Sequence, residues 1–278
     1  MADIQDNLNS NVSFRVHKED LSDAVAWVAR MLPTKNTQPI LRAVLITASD
    51  EGLEFAGFDY EVSSRVRIAA EVDTPGRVAV AGKLLSDIVA NMPNQPVEVS
   101  TSDTKLLLDG GSAHFELPLM PLDDYPQLPQ LPEVTGTIGS EDLSGAVMQV
   151  AAAAGKDDTL PMLTGIHIEV EGSTLHLTET DRFRLALRSL EWSPAGEGVQ
   201  AKLLVPAKTL LDNARTLDTQ LEEPVQIAVG GVDNVGADGL FGLHAGNRET
   251  TTRMLDADFP NVQPFCLLYT SLSGLARQ

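Results

Sequence analysis

Positive charge is scarce in this chain. Lys and Arg number 20 against 39 Asp and Glu, for a formal net charge of −19. Spread evenly, that balance excludes a protein that holds nucleic acid through many phosphate contacts, which Lys and Arg usually make. It still allows a chain that is acidic outside and basic on one inner surface. Cysteine is nearly missing too. Cys266 stands alone, so no disulfide can form within the chain, and a reducing cytoplasm is the expected setting. No apolar run approaches the ~18 residues of a membrane span. The opening MADIQDNLNSN lacks the basic and apolar regions of a secretory signal, so residues 1–11 read as a disordered leader.

The usual signatures of chemistry are absent as well. The sequence has no G-x-G-x-x-G, no P-loop, no H-E-x-x-H and no G-x-S-x-G. His17, His114, His167, His176 and His244 show no metal-ligand spacing, and His167 and His176 fall on predicted strands, where a structural role is expected. Cys266 has no evident base partner. No metal and no cofactor is expected. Glu179 and Asp181 can be drawn as an acid/base pair, but a turn filled by polar residues explains them more simply.

What the sequence does hold is a repeat. EDLSDAVAWV (19–28) returns as EDLSGAVMQV (141–150), an offset of 141 − 19 = 122. The match continues downstream. Pro39-Ile40-Leu41 answers Pro161-Met162-Leu163, and Phe58-Asp59 answers Thr180-Asp181, both again 122 apart. VAVAGKLLSDIVANMP (78–93) answers LLVPAKTLLDNARTL (203–217), with Lys83 opposite Lys208 (208 − 83 = 125). DDYPQLPQ answers ADFPNVQP, with Pro126 opposite Pro260 (260 − 126 = 134). The offset grows slowly, as loop insertions would make it grow. A period this long is not a solenoid repeat but a duplicated domain. Asp59 and Asp181 recur in both copies, which points to a requirement of the fold rather than to one active site.

Each copy predicts the same order of elements. A short strand, VSFRV in the first copy, leads into a helix. Leu21, Ala24, Val25 and Val28 form its apolar stripe at i, i+3, i+4, i+7, repeated by Leu143, Ala146, Val147 and Val150. Acidic residues in both first turns suit the positive helix N-terminus. Alternating strands follow: LRAVLITA, GLEFAGF, VSSRVRIA and RVAVAG. A second helix comes next, with stripe Leu84, Leu85, Ile88, Val89 and Met92 in one copy and Leu210, Leu211, Ala214 and Leu217 in the other. Strands VEVST, KLLLDG and AHFELP close the unit. The fold class is therefore α+β, as tandem two-helix, β-rich domains whose helices share one side of the sheets. The proline-rich stretch 118–133 reads as the connection between copies. The expected organisation is a leader at 1–11, one domain at 12–131, a second at 132–260, and a connection and tail at 261–278.

The segment TETDRFRLALRSL (178–190) combines a turn, arginines and an aromatic ahead of an apolar strand. It reads equally as an ordinary hairpin or as a groove with apolar contacts from Phe183 and Leu185 and a rim of Arg182 and Arg184.

LPMLTG (160–165), TDRFRLAL (180–187) and DADFPNVQP (256–264), with the duplicated domain, resemble the bacterial beta sliding clamp. That family is the processivity subunit of the replicative DNA polymerase III, and the resemblance runs from residue 12 to about residue 264. It implies a closed ring of like domains, with helices lining the hole and sheets on the rim, that encircles duplex DNA without sequence preference. It also implies a non-catalytic protein with the clamp loader, the polymerase III catalytic subunit and other proteins carrying a clamp-binding motif as partners, and head-to-tail self-association of the complete protein. No membrane partner is implied. Few phosphate contacts are needed for such binding, and tight ones would stall sliding. The basic residues expected to face DNA are Arg30, Lys35, Lys83, Lys156, Lys208 and Arg215. The partner-peptide pocket, carried over by motif position, comprises Leu163, Thr180, Arg182, Phe183, Arg184, Leu185, Pro260 and Pro264. Arg182 stands where many members have glycine, and Pro264 where many have a basic residue. FCLLYTSLSGLARQ (265–278) resembles no segment of the family, and a frameshifted, chimeric or truncated end in place of a third domain is expected. Two alternatives remain from the sequence: a two-domain clamp-like chain closing a different ring, and an enzyme using Glu179 and Asp181.

Overall fold

The structure is a computed structural model, which describes residues 11–33, 38–217, 223–229, 239–262 and 264. The expected leader (apart from Asn11), Lys35, Cys266 and the 265–278 tail lie outside the described residues.

The first copy runs β1 (Ser13–Val16), α1 (Lys18–Met31), a 3-10 turn (Pro39–Arg42), β2 (Ala43–Ser49), β3 (Gly52–Phe58) and β4 (Val62–Ile68). It continues with β5 (Glu71–Thr74), β6 (Gly76–Ala81), α2 (Gly82–Asn91), β7 (Val97–Ser102), β8 (Lys105–Gly110) and β9 (Ala113–Met120). The second copy runs β10 (Val134–Ile138), α3 (Ser140–Val150), a 3-10 turn (Pro161–Leu163), β11 (Gly165–Glu171), β12 (Thr174–Thr180) and β13 (Leu185–Glu191). It ends with β14 (Ser193–Pro194), β15 (Gln200–Pro206), α4 (Ala207–Ala214), β16 (Val225–Val229), β17 (Leu240–Ala245) and β18 (Arg248–Arg253). The two Pro-x-Leu segments that match at an offset of 122 both form 3-10 turns with proline at their start, where its missing N–H costs nothing.

Two apolar cores, one per copy, hold the helices against the sheets. Leu21, Ala24, Val25 and Val28 are each no more than 2% exposed, and Leu143, Ala146, Val147 and Val150 no more than 5%. The opening helices thus bury the stripes their spacing predicts. Two expectations need correction. Leu84 is 45% exposed and does not belong to the α2 stripe, which consists of Leu85, Val89 and Met92 with Ile88 partly buried. The buried stripe is narrower than the apolar pattern, and position 84 falls off its edge. The strand β5 is an addition to the expected elements. It is a short edge strand of acidic and apolar residues, EVDT, paired antiparallel to β1.

The copies are joined strand to strand. β4 of the first pairs antiparallel with β18 of the second, from Arg248 opposite Val66 to Thr252 opposite Val62. This seam merges the strands of the first copy with part of the second into one 14-stranded sheet, while β13, β12, β11 and β15 form a separate four-stranded sheet. The seam is hydroxyl-rich: Ser63, Ser64, Thr250, Thr251 and Thr252 are all buried. Asn247 and Arg67 exchange backbone and side-chain hydrogen bonds beyond its end. On the helix side a second contact spans the joint. The Trp27 indole N–H donates to Thr216 Oγ1 at 3.0 Å, and the Arg248 guanidinium lies 5.5 Å above the Trp27 ring. Arg248 also donates to the Thr216 carbonyl at 2.9 Å and pairs with the exposed Asp23.

Removing this cluster loosens the joint and leaves each core intact. Arg248→Ala is expected to destabilise the chain by about 1–3 kcal/mol, most of it from the lost carbonyl bond and the uncovered ring, since the exposed Asp23 pair adds little. Hydrogen exchange checks the location. Amides of β4 and β18 exchange faster in the variant and those of β2 do not; a uniform change across the sheet contradicts the joint's separate role.

Candidate partner-docking site

The turn between β12 and β13 is built by one carboxylate. Asp181 Oδ1 accepts hydrogen bonds from the backbone N–H of Phe183 at 3.0 Å and of Arg184 at 3.1 Å, and Oδ2 accepts from Arg184 Nε at 3.0 Å. Thr180 Oγ1 accepts from the Arg182 N–H and donates to the Arg184 carbonyl. An Asx-type turn of this kind lets a side chain stand in for a missing backbone partner. Partial burial raises the Asp181 carboxyl, but the donated bonds from Phe183 and Arg184 outweigh it and hold the group below its ordinary value.

The first copy repeats the device. Asp59 Oδ1 accepts from the N–H groups of Glu61 at 3.0 Å and Val62 at 2.8 Å. The residue after each aspartate lies in the left-handed region, Tyr60 at φ +75° and Arg182 at φ +78°. The duplicated aspartate is therefore a fold requirement. Side chains other than glycine are strained at such positions.

The two hairpins have different surroundings. In the first copy the backbone N–H of Arg253 donates to the Glu61 carbonyl, and its guanidinium donates to the Tyr60 carbonyl at 3.1 Å, so the neighbouring domain is bonded to the turn, although the Tyr60 side chain stays 48% exposed. In the second copy the same turn is open. Six large apolar side chains are exposed among the described residues, and three of them, Phe183, Leu185 and Leu187, lie within this hairpin and the strand after it. Phe183 is 92% exposed. β13 is the edge strand of its sheet, paired with β12 on one side and with no strand on the other among the described residues, and it carries exposed leucines, a ready place for another chain.

The structure brings together much of the carried-over pocket. Thr180 is buried and pairs directly with Leu185 across the hairpin. Arg182, Phe183 and Arg184 form the exposed turn. Leu163 is buried in the 3-10 turn that leads into β11, beside β12. Pro260 is half-buried in the connector that crosses the outer face of the four-stranded sheet, and Pro264 is exposed beyond it. Of the residues expected to face DNA, Arg30 lies on α1, Lys83 on α2 and Lys208 on α4, while Lys156 and Arg215 occupy loops after helices; all five are exposed. Lys83 and Lys208 each pair with an aspartate one turn along their own helix, Asp87 and Asp212. The charge available on the helix side is thus weaker than the residue count suggests.

Glu179 behaves as no docking residue would, and sequence reasoning missed its place. It is 0% exposed and faces the helix layer, with Oε1 accepting from the Thr180 N–H and Oε2 lacking a partner among the described residues. Desolvation pushes its carboxyl up to about 8, with the charge of Asp181 adding to the effect and the Thr180 bond opposing it. The repeat held a signal. The matching position in the first copy is Gly57 (179 − 122 = 57), where an added Cβ would meet Leu32 at 2.6 Å. A sealed Glu179 and a half-buried Asp181 whose carboxylate is committed to the turn cannot share one substrate, so the acid/base reading of this pair does not hold.

Two domains of one fold joined strand to strand, with an open apolar hairpin, define a binding scaffold of the DNA-clamp class. Comparison with known families agrees. The chain matches the DNA polymerase III beta subunit N-terminal domain over residues 12–129 and the central domain over residues 137–261. It is 45% identical over 249 residues to the beta sliding clamp of Streptomyces coelicolor, covering 90% of this chain and 65% of that protein. It is 40% identical over 252 residues to the beta sliding clamp of Micrococcus luteus, covering 91% and 79%. The crystal structure of the Bacillus subtilis DNA polymerase sliding clamp superimposes with a TM-score of 0.84 at 28% identity, covering 92% of this chain and 67% of that one. The chain belongs to the bacterial beta sliding clamp family.

Two substitutions test the local physics. Arg182→Gly removes a side chain from a left-handed position and is expected to stabilise the chain by about 1 kcal/mol in chemical unfolding; a loss of stability contradicts the strain. Glu179→Gln tests the buried acid. Its folded value of about 8 lies above the ordinary 4.5, so its contribution is fully present below pH 4.5 and is lost as pH rises toward 8. The variant is expected to match the parent near the lower value and to exceed it by a few kcal/mol above the upper one, as read by melting temperature against pH. A constant difference across that range contradicts the burial argument.

Proposed function

We propose that this protein is a DNA sliding clamp: a non-catalytic processivity factor that encircles duplex DNA and tethers the replicative polymerase and other replication or repair proteins. The observation that carries the reading is the repeated hairpin. In the first copy it receives the last strand of the next domain, and in the second the same Asp-held turn stands open. A unit that joins head to tail through one recurring turn can add further units of its kind, and a ring is the closed form of such an arrangement. Head-to-tail self-association of the complete protein follows from the same logic. The domains run from 12 to 131 and from 132 to 260. The chain spans 65% of the length of the Streptomyces coelicolor relative, so the ring belongs to the complete protein.

In this reading Leu163, Thr180, Leu185 and Pro260 form an apolar slot for leucine or phenylalanine anchors of a partner peptide, and Arg182, Phe183, Arg184 and Pro264 surround it. The clamp loader and the polymerase III catalytic subunit are the partners of this kind, in the cytoplasm. Arg30, Lys35, Lys83, Lys156, Lys208 and Arg215 face the DNA. Their small number, and the aspartates beside two of them, suit a ring that slides, because each firm phosphate contact adds to salt-dependent affinity and slows movement.

Topology is the test. The full-length protein, assembled on nicked circular duplex, is expected to stay with the DNA through gel filtration and to leave once a restriction enzyme linearises the circle. Retention indifferent to linearisation overturns the reading.

A further inference from the structure

The connector after β18 crosses the outer face of the four-stranded sheet and leaves a groove of about 900 Å³ beneath and beside it. Pro260 lines the groove, which runs along the strands from Thr178 and Leu187 near the hairpin to His176 and Glu171. Thr178 and Leu187 line it, opposite one another, and each stands two residues from Thr180 or Leu185 on the same face. The groove is therefore continuous with the proposed peptide slot.

The first copy treats its connector differently. There the connector packs flush: Tyr125 and Leu128 lie on a buried patch of Ala43, Leu45, Ala56 and Ala79, and the Tyr125 hydroxyl reaches the Ala56 carbonyl at 3.4 Å. Small residues let the connector sit down on the sheet. The corresponding positions of the second copy hold Gly165 (43 + 122), His167 (45 + 122), Thr178 (56 + 122) and Leu204 (79 + 125). The connector's Leu255 packs at Gly165 and donates its N–H to the Leu204 carbonyl. Further along, Phe259 stacks on the His167 ring at 4.9 Å between ring centres instead of seating on small residues.

The groove has a distinct charge. Leu187, Leu204, Leu255 and Val262 give it apolar contact, while Glu169, Glu171, Asp256 and Asp258 supply four carboxylates. Lys202 is the one lysine or arginine that lines it among the described residues, and it is committed to Glu169 at 2.6 Å. His176 lies 3.8 Å from Glu171. The balance left for a visitor is negative.

We propose that this groove extends the peptide slot and takes residues flanking the apolar anchors, with a preference for lysine or arginine in that flank. The proposal rests on the peptide-docking reading above. An apolar floor would hold the stem of a long basic side chain while its head meets the carboxylates, and a charge preference of this kind sets partner choice more than bulk affinity.

Fluorescence anisotropy of the full-length protein tests it. The probes are labelled synthetic peptides with one Leu-Phe core, flanked on either side by two lysines, two glutamates or two serines. At low ionic strength the lysine-flanked peptide is expected to bind roughly 10-fold more tightly than the glutamate-flanked one, with the gap closing near 1 M salt, where screening reaches ~3 Å. The net charge of the whole protein also favours basic peptides, so the triple variant Glu171→Gln, Asp256→Asn, Asp258→Asn locates the effect. It is expected to shrink the gap several-fold and leave the serine-flanked affinity unchanged. Equal binding of all three probes, or a gap that the triple variant leaves intact, overturns the groove and spares the slot. Failure of the serine-flanked probe to bind overturns both.

Discussion

The pairing of β4 with β18 is the constraint on which the rest of the structure depends. It turns two domains that each have their own core into one body, and it does so with backbone hydrogen bonds and a row of Ser and Thr rather than with large apolar side chains. Strand pairing fixes direction and register at once, because a slip of one residue would turn every side chain to the opposite face. Helices of both copies are thereby held on a common side. The Trp27, Arg248 and Thr216 cluster then pins the helix side of the same joint, so the two domains are held at two separated points.

The repeated aspartate turn acquires its meaning from that pairing. One geometry serves two purposes, depending on what lies beside it. Where the next domain's Arg253 reaches Tyr60 and Glu61, the turn is an internal joint. Where nothing in the described structure covers it, the turn presents Phe183 and Leu185. Duplication followed by divergence of a few side chains is enough to turn a bonded edge into an edge that exposes apolar side chains. The contrast between Tyr125, seated on alanines, and Phe259, stacked on His167, is a second instance of the same divergence.

Much of this was legible in the sequence because the repeat could be read twice. The opening helix stripes, the equivalence of the two Pro-x-Leu segments and the structural role of Asp59 and Asp181 all follow from residues matched at a fixed offset. The TDRFRL segment identified the exposed hairpin. The rest was hidden for physical reasons. β5 is too short and too polar to show a period. Leu84 continues an apolar pattern but falls outside the packed face of α2, which only tertiary contact decides. The seam strand RETTTR has no apolar alternation, and its partner lies 180 or more residues away, so nothing local announces the pairing. Glu179 reads with Asp181 as one of the polar residues of a turn; strand alternation instead turns it inward, where burial raises its carboxyl.

The account's central claim is that the second hairpin docks partners while the first only joins domains. The most direct measurement is a crystal structure of the full-length protein soaked with a Leu-Phe peptide. The account predicts the anchors against Thr180, Leu185 and Pro260, with the turn at 58–62 still bonded to Arg253. Anchors bound at the first copy's turn, or away from both hairpins, would contradict it.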